Sequence, residues 1–197
     1  MQVGFARAGG DVSNWGFETI LRRSEGEMEE NLYVPDIVTM GKPMANGFPM
    51  GAVVTQDHIS EAFSEDQKYF NTFGGNPVAA QACHAVLDVI EMENLRDSAR
   101  DSGRHLHSSL ISLKAEFPQL VQSVRSIGLM FGVTIIDKNS ASYLVMSMKE
   151  RGFLMSVSGI KEDTLKIRPP LCITHDEIDS LIDGLHQSLQ DLMKLQY

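Results

Sequence analysis

The sequence predicts an α/β chain in two parts: a first half of short strands, turns and helices, and a second half with the regular plan of an α+β domain. Two observations carry this reading. Short apolar runs bounded by Pro, Gly and Asp alternate with longer runs whose apolar residues recur every three or four positions, the signatures of strand and helix. The texture also changes near residues 93–97, where a helix rich in small apolar residues gives way to a polar-faced one. At 197 residues the chain can bury a substantial core, as one large domain or two small ones. The division adopted is 1–94 and 95–197.

The first part opens on "MQVGFARAGG", an apolar run passing into glycine, as a strand enters a loop. Its abrupt start is the expectation for a domain whose beginning lies elsewhere. "NWGFETILRR" leads to the acidic "SEGEMEENL", read as an exposed, mobile loop. Ile37 to Met40 form a short strand, the Pro/Gly-rich turn "KPMANGFP" comes next, and "MGAVVT" is the second strand. Gln56 to Phe63 form a short amphipathic helix. After the loop "YFNTFGGNP", Pro77 falls in the first turn of a long helix. Its apolar face (Ala79, Ala80, Ala82, Cys83, Val86, Leu87 and Ile90) is wide and small, so close packing is expected.

In the second part Leu106, Leu110 and Leu113 mark the apolar stripe of a polar-faced helix. "VRSIGLMFGVTII" is a strand pair or a bent strand, and "SASYLVMSMKERG" is a helix ended by Gly152. "FLMSVS" and "TLKIRPPL" are strands. A capping box, Thr174-x-x-Glu177, opens the last helix, in which Ile178, Leu181, Ile182, Leu185, Leu189 and Leu192 keep helical spacing.

Composition excludes some classes of partner. A formal charge of −9 with no basic stripe argues against nucleic acid, and equally against an anionic membrane surface. No apolar run approaches the roughly 18 residues of a membrane span, and the first residues lack the pattern of a secretory signal. Cys83, in a helix, and Cys172, in a strand, read as free thiols in a reducing compartment. The six histidines fall on polar helix faces or caps, and no metal-ligand spacing is present.

The chemistry centres on Lys42, set in an otherwise uncharged run between two strands. An ammonium group held in such a place is either paired at a distance, snorkelling to water, or used as a nucleophilic amine with burial lowering its pKa. A buried amine suits Schiff-base chemistry. "NTFGGNP" offers a Thr hydroxyl, two flexible glycines and a helix start, which serve equally as a phosphate cradle or as a capping loop. A lysine for an aldehyde and a cradle for a phosphate together point to pyridoxal phosphate.

The segments "QVGFARAGG", "NWGFE", "PDIVTMGKPMANGFPMGAVV", "YFNTFGGNP", "AVLDVIEMENL", "VRSIGLMFGV" and "LKIRPPLCIT" resemble, in order and spacing, the class III aminotransferases, closest to the ethanolamine-phosphate phospho-lyases and the alanine–glyoxylate aminotransferase branch. The resemblance implies the C-terminal portion of the large cofactor-binding domain of a fold-type I enzyme, residues 1–94, followed by its small α+β domain, residues 95–197. It implies pyridoxal 5'-phosphate as cofactor, with Lys42 forming the internal aldimine and moving the proton at the substrate carbon. Thr72 would bind the cofactor phosphate of the neighbouring subunit, so a homodimer with shared active sites is expected. Gln2 resembles the glutamine near the cofactor's phenolic oxygen, while Arg7 and Trp15 match the family pattern in structural roles.

In the family an Asp-Glu pair precedes the position of Met1, and that Asp holds the pyridine nitrogen. The resemblance thus implies a chain equivalent to the C-terminal part of a longer enzyme. Many members carry an Arg three residues before the Pro-Pro pair, forked onto the substrate carboxylate. Here Lys166 stands there, with Arg168 two residues on and facing the same way if the segment is a strand. Either Lys166 lines a domain seam, or it marks a substrate without that carboxylate, such as an amino-alcohol phosphate. The expected substrates are a primary amine and, for transamination, a keto acid, in the cytoplasm or mitochondrial matrix rather than outside the cell. The alternative is a non-catalytic homologue that folds or functions only with a partner chain.

Overall fold

The computed structural model describes residues 4–8 and 34–196. Gln2, Trp15 and the acidic run 24–32 lie outside the described residues. The chain divides into two compact units, one of residues 1–6 and 12–95, the other of residues 7–11 and 96–197.

In the first unit, strands β1 (Ile37–Gly41) and β2 (Gly51–Thr55) pair antiparallel, from Ile37 opposite Thr55 to Gly41 opposite Gly51. A 3-10 turn, Lys42–Ala45, adjoins the end of β1 directly, and Asn46 closes it in a left-handed conformation. Helix α1 (Asp57–Asp66) runs past the expected end and buries none of its residues. Helix α2 (Pro77–Met92) starts with Pro77 in its first turn, as expected, and Asn76 just before it. Its buried face is narrower than expected: Ala79, Cys83 and Ile90 are buried, whereas Ala80 and Leu87 are exposed. Only one stripe of the helix meets this unit's small core of Met44, Ala45 and Cys83, flanked by Phe5, Met40, Phe48 and Met50.

The second unit is a four-stranded antiparallel sheet of β3 (Val121–Ile127), β4 (Met130–Ile135), β5 (Ser156–Ser158) and β6 (Thr164–Ile167), ordered β3-β4-β6-β5. Helices α3 (Leu95–Glu116), α4 (Lys138–Glu150) and α5 (His175–Gln196) contribute to one deep core with the sheet. Leu106, Leu110 and Leu113 of α3 and Ile178, Leu181, Leu185, Leu189 and Leu192 of α5 are all buried there, as their spacing predicts. On the sheet, Val133 and Leu165 take the inward positions and Gly132 and Lys166 the alternate ones. The capping box forms: Thr174 N and Oγ1 both donate to Glu177 Oε2, at 2.8 and 2.9 Å, and Glu177 N donates to Thr174 Oγ1 at 3.3 Å. "VRSIGLMFGVTII" is a hairpin, turned at Gly128 with φ +51°.

That turn needs glycine for space as well as for its left-handed backbone. A Cβ at 128 would lie 2.2 Å from the Arg7 carbonyl oxygen, and one at Gly103 of α3 would lie 2.6 Å from the Gly128 oxygen. Leu129 N donates to that same Arg7 oxygen at 2.8 Å. Residues 7 and 8 are thus laid against the hairpin turn, backbone to backbone. Cys172 sits in the turn after β6 rather than in a strand, and both cysteines are free. Strand β6 ends at Ile167 because Pro169 lacks the N–H a ladder needs.

Candidate active site: the lysine turn and the glycine loop

Lys42 stands at the end of β1, and its backbone is left-handed with φ +52°, an uncommon state for a residue with a side chain. The next few residues anchor the turn. Met44 and Ala45 are buried in the small core, Phe48 N donates to the Ala45 carbonyl at 3.0 Å, and Asn46 N donates to the Pro43 carbonyl at 3.1 Å. Lys42 itself is exposed, which corrects the expectation of a buried amine. The hairpin has two strands, and among the described residues of its unit nothing covers the lysine. At the far end of the hairpin, Asp36 is occupied by Gln56, whose Nε2 donates to its Oδ1 at 2.9 Å.

The second motif loop folds around its two asparagines. Asn71 Oδ1 accepts from Phe73 N at 3.0 Å, and Gly74 N donates to the Asn71 carbonyl at 3.0 Å. Asn76 caps α2, its Oδ1 accepting from Val78 N and Ala79 N. The start of α2 is therefore already satisfied and does not offer those donors to an anion, a correction to the helix-start part of the cradle. What the loop leaves open is the exposed Thr72: its hydroxyl and N–H, and the N–H of Gly75, have no acceptor among the described residues. Gly75 adopts φ +71°, where a side chain would be strained.

Phe48 of the lysine turn stacks on Phe73 of this loop with ring centroids 6.4 Å apart. Pro49–Gly51 and Asn71, Phe73–Asn76 line one hollow of about 290 Å³. Neither Lys42 nor Thr72 lines it. Sequence reading passed over Asn71 and the Phe48–Phe73 pair; the Asn-x-Phe spacing is the signal that could have found the first turn.

In the second unit Lys166 lies in β6, half-buried, opposite Gly132 of β4 and Ser156 of β5. Arg168 lies one residue beyond the strand and borders a hollow of about 410 Å³ with Phe153, Met155, Ile167 and Pro169. Arg7 Nη1 donates to the Pro169 carbonyl at 2.6 Å. Burial and, secondarily, the Arg168 guanidinium lower the Arg7 pKa. Among the described residues no group of His, Cys, Asp and Glu is arranged to hold a metal, and no helix is long and apolar enough to cross a membrane.

The family model described as aminotransferase class-III matches residues 27–189. A protein of Arabidopsis thaliana named alanine–glyoxylate aminotransferase 2 homolog 2, mitochondrial, is 39% identical over 98% of this chain and 39% of its own length. One of Caenorhabditis elegans named ethanolamine-phosphate phospho-lyase homolog 1 is 33% identical over 96% of this chain and 40% of its own. A solved Arthrobacter phospholyase, in complex with phosphoethanolamine, has 36% identity and a TM-score of 0.84 over 96% of this chain and 43% of its own. The chain thus spans about two-fifths of the length of the relatives it matches. The solved relatives are fold-type I enzymes, and this chain's helices and sheets match that α/β fold over nearly its whole length. The chain belongs to the class III aminotransferases, a family dependent on pyridoxal phosphate.

Proposed function

We propose that this chain carries the lysine-bearing part of a pyridoxal-phosphate enzyme that acts on a primary amine and eliminates phosphate from an amino-alcohol phosphate such as ethanolamine phosphate. The observation that carries it is the presentation of Lys42. A left-handed lysine, on a turn anchored by buried Met44 and Ala45, is an uncharacteristic arrangement for a surface residue and a common one at functional sites. Its amine would attach the cofactor and then hold and return the proton at the substrate carbon. Thr72, with its hydroxyl and N–H open to solvent, would hold the phosphate of a cofactor bound in a second copy, which makes the working form a homodimer with shared sites. Gln2 would serve the cofactor's phenolic oxygen. The bound cofactor supplies an electron sink for the carbanion formed at the substrate carbon.

Elimination is preferred to transamination because Lys166, a point charge on a flexible stem, replaces the planar fork that suits a carboxylate. Arg168 would add positive charge near the substrate's anionic end. Transamination with a keto acid is the second reading, favoured by the name of the Arabidopsis relative. We place the protein inside the cell, in the cytoplasm or the mitochondrial matrix.

The test supplies the chain with pyridoxal phosphate and either ethanolamine phosphate or L-alanine with glyoxylate, and measures inorganic phosphate and amino transfer. Phosphate release that Lys42→Ala abolishes supports the proposal. Amino transfer without phosphate release overturns it in favour of the transaminase. Neither activity, with turnover only on adding a longer homologue, would make this chain a non-catalytic partner.

A further inference from the structure

We propose that the outward face of the four-stranded sheet carries a subsite for the phosphate dianion of the substrate, formed by Arg125 and Lys166 on either side of Gly132. It rests on the phospho-lyase reading above and adds Arg125, which lies in the segment "VRSIGLMFGV" but is given no role there. The register sets Arg125 opposite Gly132, Gly132 opposite Lys166, and Lys166 opposite Ser156, one row across all four strands. Side chains in such a row share a face, and the positions that alternate with them, Val124, Val133, Leu165 and Val157, belong to or pack on the core. The adjoining row is Ser123, Thr134, Thr164 and Ser158. The two rows hold two cations, in a chain of net charge −9, and a carboxylate borders them: Asp163 Oδ1 accepts from Thr164 Oγ1 at 3.0 Å.

The geometry favours convergence. Strands about 4.8 Å apart put the Cα atoms of Arg125 and Lys166 about 10 Å apart, within joint reach of two long side chains. Gly132 puts no side chain between them: a Cβ there would lie 3.3 Å from Thr164 Cγ2, 3.8 Å from Arg125 Nη2 and 4.0 Å from its Nε, so the guanidinium already extends over β4 beside the Thr164 methyl. Thr134 Oγ1 accepts from Arg125 Nη2 at 3.1 Å and fixes the fork, and Thr134 in turn is 3.3 Å from Thr164 Oγ1. Among the described residues neither Arg125 nor Lys166 has an ion-pair partner. A carboxylate is satisfied by one fork. A tetrahedral dianion presents oxygens to both sides and matches two positive charges, one of them a lysine.

The test titrates the full chain, without cofactor, with inorganic phosphate and separately with acetate, monitored by 31P and 1H NMR. The expected result is phosphate binding at least about tenfold tighter than acetate, weakened about tenfold or more by Arg125→Gln and by Lys166→Gln. Lys166→Arg should stay within about threefold of the parent, and unchanged melting temperatures would show that the variants are folded. Two results would overturn the proposal: no preference for phosphate, or phosphate binding that both neutral variants leave intact, which would place it at the Asn71–Asn76 loop instead. Because the titration needs no cofactor, its failure leaves covalent trapping at Lys42 untouched, and failed trapping leaves the titration untouched.

Discussion

The two units carry chemistry and core in opposite measure. The second encloses Leu106, Leu144, Met148, Leu165, Ile178 and Leu189 at or near zero exposure, under three helices. The first holds Lys42 and Thr72 on a core of Met44, Ala45 and Cys83, while Val53, Val54, Phe70 and Leu87 remain exposed. The difference teaches that reactive positions here depend on turns and caps, where a few hydrogen bonds set the geometry. The second unit depends on apolar burial, worth about 25 cal/mol per Å² removed from water.

The largest effects should separate the units. Leu165→Ala or Leu144→Ala should cost about 3 kcal/mol, because each empties a site with no exposure and close neighbours on every side. Met44→Ala should cost less than half as much, since its shallow surroundings can collapse. Two units need not unfold together, so amide hydrogen exchange, read unit by unit, is the suitable measurement. Comparable losses of protection in both units would break the contrast.

Gly128→Ala comes next, at about 2 kcal/mol, because the added carbon meets the backbone of Arg7 and Ala8 and the turn needs φ +51°. Gly75→Ala has open space and only the left-handed backbone to oppose it, so about 1 kcal/mol is expected. Equal costs at the two glycines would contradict the tight stacking of residues 7 and 8. Asn76→Ala, losing two N–H partners, should cost about 1 kcal/mol and speed exchange at Val78 and Ala79 first.

The smallest effect is on pH dependence. Backbone and side-chain hydrogen bonds from Ser140 hold the Asp137 carboxyl below its usual pKa, and those from Thr174 do the same for Glu177. A depressed folded pKa gives stability that is fully present above the ordinary carboxylate range and is lost as pH falls through the folded value. Melting temperature should therefore fall below about pH 4, and Asp137→Asn with Glu177→Gln should flatten that slope. Both groups are exposed, so the change will be modest. An unchanged slope in the double variant would show that these caps do not contribute.

What the sequence disclosed was mostly local. The Thr174-x-x-Glu177 box, Pro77 after Asn76, and the spacing in α3 and α5 are legible because each is decided within a few residues. The exposure of Lys42 was not, since burial depends on what packs over a residue. Nor was the narrow buried stripe of α2, where a run of alanines signals helix without saying how much of it is covered. The end of β6 at Ile167 was visible in Pro169 and was read four residues too late, at Leu171. Arg7 on Pro169, Gly103 against Gly128, and the row from Arg125 to Lys166 all join residues far apart in the chain. Only the assembled fold reveals such pairs.

The central claim is that Lys42 is the amine that takes the cofactor, and covalent trapping tests it most directly. Pyridoxal phosphate is mixed with the chain, the adduct is reduced with borohydride, and the labelled lysine is located by peptide mass spectrometry. The account predicts saturable labelling concentrated at Lys42 and lost in Lys42→Ala. Labelling spread over the surface lysines, with Lys42 no more reactive than the rest, would contradict it.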